Sequence, residues 1–218
     1  NVDIIMARLI KNETVELFGK NATVPFINGC DNSYHPCQIL ADALTILEKF
    51  GTLDVNLMYI GAKNNVFNSH VEFFSKMKKG TLYGLTPLVN ETACGPDFYE
   101  EAKKSGHYIE LDPAMSMEEA KEYANKMDVL YTDTWVDMEF FNNPAYQKQK
   151  EETLAKMMPY QLNGDFTKDS KAIVFHDMPM HVGFEISQDV VDKNLDHILD
   201  EAENRRHAEK AVMYTLLN

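Results

Sequence analysis

Five short runs of this sequence gather residue types that can do chemistry. In "YHPCQILADALT" (34–45), His35 precedes a proline and Gln38 stands one turn beyond it. Pro36 at the first helical position would leave His35 overhanging a helix N-terminus, where backbone N–H groups favour an anion. His35 and Gln38 then make a donor pair for a carbonyl or phosphate oxygen; a capping or packing histidine is the plain alternative. In "GAKNN" (61–65), one of Asn64 and Asn65 would cap the following helix. The other would face a ligand carboxylate. The run is not G-x-G-x-x-G, so no dinucleotide is implied. "YTDTWVDM" (131–138) carries Asp133 and Asp137, two carboxylates able to grip an ammonium group, or simply solvated loop acids. "FHDMPMH" (175–181) sets His176 beside Asp177, with neither H-E-x-x-H spacing for a metal nor G-x-S-x-G for a hydrolase. "EAENRRHAEKA" (201–211) holds Arg205 and Arg206, which pair with helix acids or reach a ligand.

The elements that must position these residues alternate. Strand patterns fall at 2–9, 23–29, 56–61, 81–87, 107–111, 129–135 and 172–179. Helical patterns fall at 12–22, 36–50, 65–79, 96–105 and 117–127, with a last helix from about Glu201 to Leu217. Ser116-x-x-Glu119 reads as a capping box. On the 36–50 helix, Ile39, Leu40, Ala43, Leu44 and Leu47 are expected to share one apolar face. Apolar strands alternating with helices predict an α/β fold with a doubly wound parallel sheet. Ligands of such sheets sit at the carboxyl ends of the strands. Arg8, His35, Gln38, 61–65, 132–138 and 176–179 all fall on that edge, and this convergence says more than any single run.

Composition narrows the partners. The 218 residues, 44% hydrophobic and 25% charged, suffice for one large domain or two unequal ones. A net charge of -13 argues against nucleic acid or an anionic membrane. An anionic ligand would need a local positive site, and among 21 cationic side chains only Arg8, Arg205 and Arg206 are arginine, the residue suited to forked recognition of phosphate and carboxylate. Three cysteines (Cys30, Cys37, Cys94) without C-x-x-C spacing suggest neither a disulfide framework nor a zinc knuckle and fit a reducing, cytoplasmic compartment. No apolar run approaches the roughly 20 residues of a membrane helix. The chain opens directly on a buried-strand pattern without an initiator Met, so a fragment is expected.

Taken in order, "DIIMAR", "VPFINGCDNSYHPCQILADALTI", "YIGAKNN", "YTDTW" and "DEAENRRHAEKAV" resemble the ornithine/aspartate carbamoyltransferase family over nearly the whole chain, the ornithine branch most closely. The resemblance implies a Rossmann-like lobe for the second substrate plus the C-terminal remnant of a carbamoyl-phosphate lobe. Residues 1–35 would be that remnant, 36–50 the inter-lobe helix, 51–200 the amine-binding lobe and 201–218 a helix returning to the first lobe. It implies transfer of the carbamoyl group from carbamoyl phosphate to an amine of ornithine, a related amino acid or a polyamine. It also implies no cofactor or metal, and a homotrimer or multiple of trimers. Arg8, His35 and Gln38 would act on carbamoyl phosphate, with Arg205 helping to hold it. Asn65, Asp133, Asp137, Met138, His176 and Asp177 would line the second-substrate side. Three departures stand there: Gly-Ala-Lys-Asn-Asn for Gly-Asp-Gly-Asn-Asn, Asp137-Met138-Glu139 for Ser-Met-Gly, and His176-Asp177-Met178-Pro179 for His-Cys-Leu-Pro. The added carboxylates imply a more cationic amine. No Ser-x-Arg-Thr-Arg phosphate loop occurs in these residues; the resemblance places it upstream, and the 218 residues alone are expected to be inactive. The competing reading is a non-catalytic paralogue that binds small ligands or regulates.

Overall fold

The computed structural model describes residues 2–136 and 141–218. The chain enters through a two-stranded parallel sheet, β1 (Ile5–Arg8) and β2 (Phe26–Cys30), joined by α1 (Asn12–Asn21). Helix α2 (Pro36–Phe50) follows, bounded as the sequence predicts. Pro36 opens it, and Gly51 closes it in the left-handed conformation at φ 69°, where glycine carries no Cβ penalty.

The main sheet contains β3 (Asn56–Lys63), β4 (Thr81–Val89), β5 (Tyr108–Glu110), β6 (Val129–Thr132) and β7 (Ile173–His176). All pairings are parallel and the order is β5-β4-β3-β6-β7. Chain progress reverses beside β3, which pairs with both β4 and β6, so a switch point lies between β3 and β6. Helices α3 (Asn65–Met77) and α4 (Pro96–Lys103) cover one face. Helix α5 (Met117–Ala124) and the final helix α7 (Gln188–Leu217) cover the other. Successive residues of β3 serve opposite faces, Leu57 and Tyr59 with α3, Met58 and Ile60 with α5 and α7, as the period of two requires. These positions are fully buried, which is why the strands read as unbroken apolar runs.

Three expectations need correction. Helix α7 begins at Gln188, not near Glu201, and runs 30 residues without a break. Its early turns bury Val190, Val191 and Ile198, while the buried stripe continues through polar Glu201 and Asn204, so no single apolar period marks its length. The polar segment after β6 holds another helix, α6 (Gln147–Met157), in which only Met157 is buried. On α2, Leu40 and Leu47 are exposed, and the buried face instead carries Gln38, Asp42 and Thr45 beside Ile39 and Ile46. The predicted 117–127 helix ends at Ala124, and its capping box is present.

Between α3 and β4, Gly80 has φ +65°, and a Cβ there would meet the Val55 carbonyl oxygen at 2.3 Å. Backbone cannot yield as a flexible side chain can. Gly80→Ala should therefore lower stability by about 2 kcal/mol or more, read as a fall in the urea midpoint.

Candidate functional site

The strand ends converge on a cavity of about 520 Å³. Arg8 enters it from β1, Cys30 and Asp31 from β2, His35 from the start of α2, Asn64 and Asn65 from the β3–α3 turn, Asp133 and Thr134 from β6, Asp177 from β7 and Arg205 from α7. It thus lies at the switch point of the main sheet and at the matching edge of the small one.

The β2–α2 turn is shaped by Asp31. Its Oδ1 accepts from the Ser33 and Tyr34 N–H groups, each at 2.7 Å, and its Oδ2 from the Asn12 and Asn28 amides, each at 2.8 Å. This is the local bonding an Asp offers a turn. The turn delivers His35 to the α2 N-cap, and Ser69 on α3 accepts its backbone N–H at 2.7 Å. The His35 ring is buried, and burial first, then the charges of Arg205 and Arg8, lower its pKa to about 3. It is therefore neutral at physiological pH. Arg205 Nη2 donates to Nε2 at 2.9 Å, which leaves the ring proton on Nδ1.

Gln38 does not line the cavity. It is buried behind His35, where its Nε2 donates to Asp42 Oδ1 at 2.9 Å and Glu201 Oε1 at 2.8 Å. Both carboxylates claim the amide N–H groups, so the carbonyl faces outward and accepts from Arg205 Nη1. The expected donor pair becomes one cavity residue with an anchor behind it. Asp177 Oδ1 lies 3.6 Å from Arg205 Nη1, and Glu209 Oε1 lies 3.4 Å from Nε in a geometry that makes no hydrogen bond. Arg205 is thus aimed from several sides at once.

Of the Asn pair, the expected helix cap is Asn64. Asn64 caps α3, its Oδ1 accepting from the Phe67 N–H at 3.0 Å, and its Nδ2 donates to Asp133 Oδ2 at 2.7 Å. Asn65 lines the cavity, its Nδ2 donating to the Asp31 carbonyl at 2.8 Å. Asp133 Oδ1 accepts from the Thr134 N–H at 2.7 Å, and burial raises its pKa despite these donors. His176 is also a framework residue: fully buried, it accepts the Met178 N–H at Nδ1 and lies 3.2 Å from Glu185 Oε1 through Nε2. Asp177, next along, does line the cavity. Burial pushes the Cys30 thiol up to about 11, so it is neutral. Arg206 sits apart, paired with Glu203 on the surface. Asp137 and Met138, with Glu139, lie outside the described residues.

Sequence reasoning missed Asp31, Thr134 and Asn64's link to Asp133. The Asp-Asn-Ser run before His-Pro is a turn signal that could have revealed the first. Among the described residues no group of three or more His, Cys, Asp or Glu is arranged to hold a metal ion, and no helix is long and apolar enough to cross a membrane.

Comparison with known proteins bears on what such a cavity holds. Residues 53–216 match the family model described as aspartate/ornithine carbamoyltransferase, Asp/Orn binding domain. Residues 1–48 match that of the carbamoyl-P binding domain of the same family. The ornithine carbamoyltransferase of Chlorobaculum tepidum is 36% identical over 99% of this chain and 61% of its own length. That of Pyrococcus horikoshii is 38% identical over 99% of this chain and 66% of its own. The chain thus spans less than two thirds of these relatives' length. The solved structure of the Pyrococcus furiosus ornithine carbamoyltransferase superposes with a TM-score of 0.82 at 35% identity, covering 99% of this chain and 67% of that one. The anabolic enzyme of Campylobacter jejuni gives 0.83 at 27%, covering 99% and 69%.

Proposed function

The chain belongs to the aspartate/ornithine carbamoyltransferase family, and we propose from that premise that it serves the transfer of a carbamoyl group from carbamoyl phosphate to the amine of ornithine or a related amino acid or polyamine. One observation carries the reading: a single cavity gathers Arg8, His35 and Arg205 together with Asn65, Asp133 and Asp177. The first set suits an anion with a carbonyl, the second a polar cation.

The reaction needs donors on the carbamoyl oxygen and cations on the leaving phosphate. Neutral His35 offers a hydrogen bond without a charge of its own. Arg205, a fork already aimed by Gln38, offers two directed N–H groups to phosphate. Holding both substrates in one cavity removes much of the entropy of their encounter, a contribution of roughly 7–11 kcal/mol when alignment is good. On this reading residues 1–35 belong to the carbamoyl-phosphate half, α2 joins the halves, 51–200 form the amine-binding half and 201–218 return to the first. Family resemblance supports a homotrimer or multiple of trimers, and the unpaired cysteines Cys30, Cys37 and Cys94 support the cytoplasm.

The test is direct. The full-length protein is incubated with carbamoyl phosphate and, in turn, ornithine, lysine and putrescine, and both phosphate and ureido product are measured. Stoichiometric release of the two with at least one amine is expected. Binding of carbamoyl phosphate without product from any amine would favour the non-catalytic paralogue instead.

A further inference from the structure

Three carboxylates line the cavity, and two are committed to the protein. Asp31 accepts four hydrogen bonds, two from its own turn and two from the Asn12 and Asn28 amides. Asp133 accepts from Asn64 on one oxygen and from the Thr134 N–H on the other. Asp177 accepts no hydrogen bond among the described residues; its ion-pair partner there is Arg205, at the loose distance of 3.6 Å. It lines the cavity together with Arg205 and Asp133, and both act on its charge.

Resting on the carbamoyltransferase reading, we propose that Asp177 is the catalytic base for the acceptor and selects acceptors whose attacking nitrogen is a basic alkylammonium. An alkylamine reaches the site as R–NH3+, which has no lone pair for attack. The Asp177 carboxylate takes one proton, giving R–NH2 and a carboxylic acid. The nitrogen lone pair then forms the N–C bond to the carbamoyl carbon, and the C–O bond to phosphate breaks with its electron pair on the phosphate oxygen. The second amine proton leaves with phosphate, and the Asp177 proton returns to solvent. A weakly basic amide or a hydroxyl would neither pair with the carboxylate nor need it.

Several ionisable groups surround this carboxyl. It is faced by Asp133 from β6, Arg205 and Glu201 from α7, Asp42 from α2 and Cys30 from β2. Burial, then Asp133, push its pKa well above the usual range, and Arg205 opposes them. The nearby Tyr59 and Tyr131 phenols are held neutral by burial.

The experiment compares wild type, Asp177→Asn and Asp177→Glu in the full-length protein, measuring kcat with ornithine and putrescine against pH and the KM for carbamoyl phosphate. Asp177→Asn should lower kcat at pH 7 by roughly 10²–10⁴-fold, leave the carbamoyl phosphate KM little changed, and recover as pH rises toward the amine's own pKa, where solution supplies free amine. Asp177→Glu should keep the wild-type shape of the profile. A wild type that turns over beside an Asp177→Asn enzyme with an unchanged kcat, or one reduced equally at every pH, would overturn the assignment of Asp177 alone. A wild type that forms no ureido product would overturn the parent reading and this one with it.

Discussion

Arg205→Ala should lower kcat/KM for carbamoyl phosphate by roughly 10²–10³-fold, the scale of about 3–4 kcal/mol for a preorganised donor on a developing anion. The geometry explains why the effect should be this large. Arg205 donates to His35 Nε2 and to the Gln38 carbonyl and faces Asp177. Its removal takes a cation from the cavity and also leaves two buried acceptors unmatched, so His35 loses the partner that fixes its tautomer. Arg205→Lys keeps the charge but not the planar fork, and should recover little of the loss. Steady-state kinetics beside a far-ultraviolet spectrum would separate this from unfolding. A lysine variant near wild-type rates would mean that charge alone matters there.

The second large effect concerns stability against pH. Asp42 and Glu201 are buried behind Gln38. Burial lifts the Asp42 pKa from 3.8 to about 7 and that of Glu201 well above its usual range. Asp42 Oδ2 lies 3.2 Å from His70 Nε2, and neither atom has another hydrogen-bond partner. His70 Nδ1 lies 2.9 Å from the Val66 carbonyl and must be its donor, while burial lowers the ring's pKa to about 4. One proton carried by Asp42 therefore satisfies both atoms. A carboxyl raised in the folded state contributes its stability in full below the unfolded pKa, and that contribution is lost as pH rises through the folded value. For Asp42 the window runs from about pH 4 to about pH 7, with a span of about 4 kcal/mol. The wild-type Tm relative to that of Asp42→Asn should therefore fall from pH 5 to pH 8, whatever His35 and His70, with their lowered pKa values, add in the opposite direction. Asp42→Asn places an amide N–H where that proton lies, so it should lack this loss and hold Tm above wild type at pH 8. Parallel Tm curves for the two proteins would contradict this.

The fold was largely legible because its strands are buried on both faces and its helices begin on recognisable caps. Pro36, Ser116 and the Asn64–Asn65 pair each marked a helix start that the structure keeps. Helix α6 was not legible, because a helix that buries only Met157 leaves no apolar stripe. The early turns of α7 were lost for a related reason: its inward face passes from valine to Glu201 and Asn204, and a period of hydrophobicity cannot register a buried acid. The same limit applies to the site. The strand-end rule found the cavity's residues as a group. It could not show that Gln38 and Asp42, four apart on α2, turn the same way into the protein and share an amide with Glu201. Nor could it show that His176 faces Glu185 while its neighbour Asp177 faces the cavity.

The central place of β3 and β6 in the five-stranded sheet has an energetic consequence for that cavity. Opening free energy is not uniform in a protein, and it follows local burial. Strands β3 and β6 are almost wholly enclosed. Asn64 and Asp133 are thus mounted at the ends of strands that yield last, and the wall they form keeps its shape through local opening elsewhere.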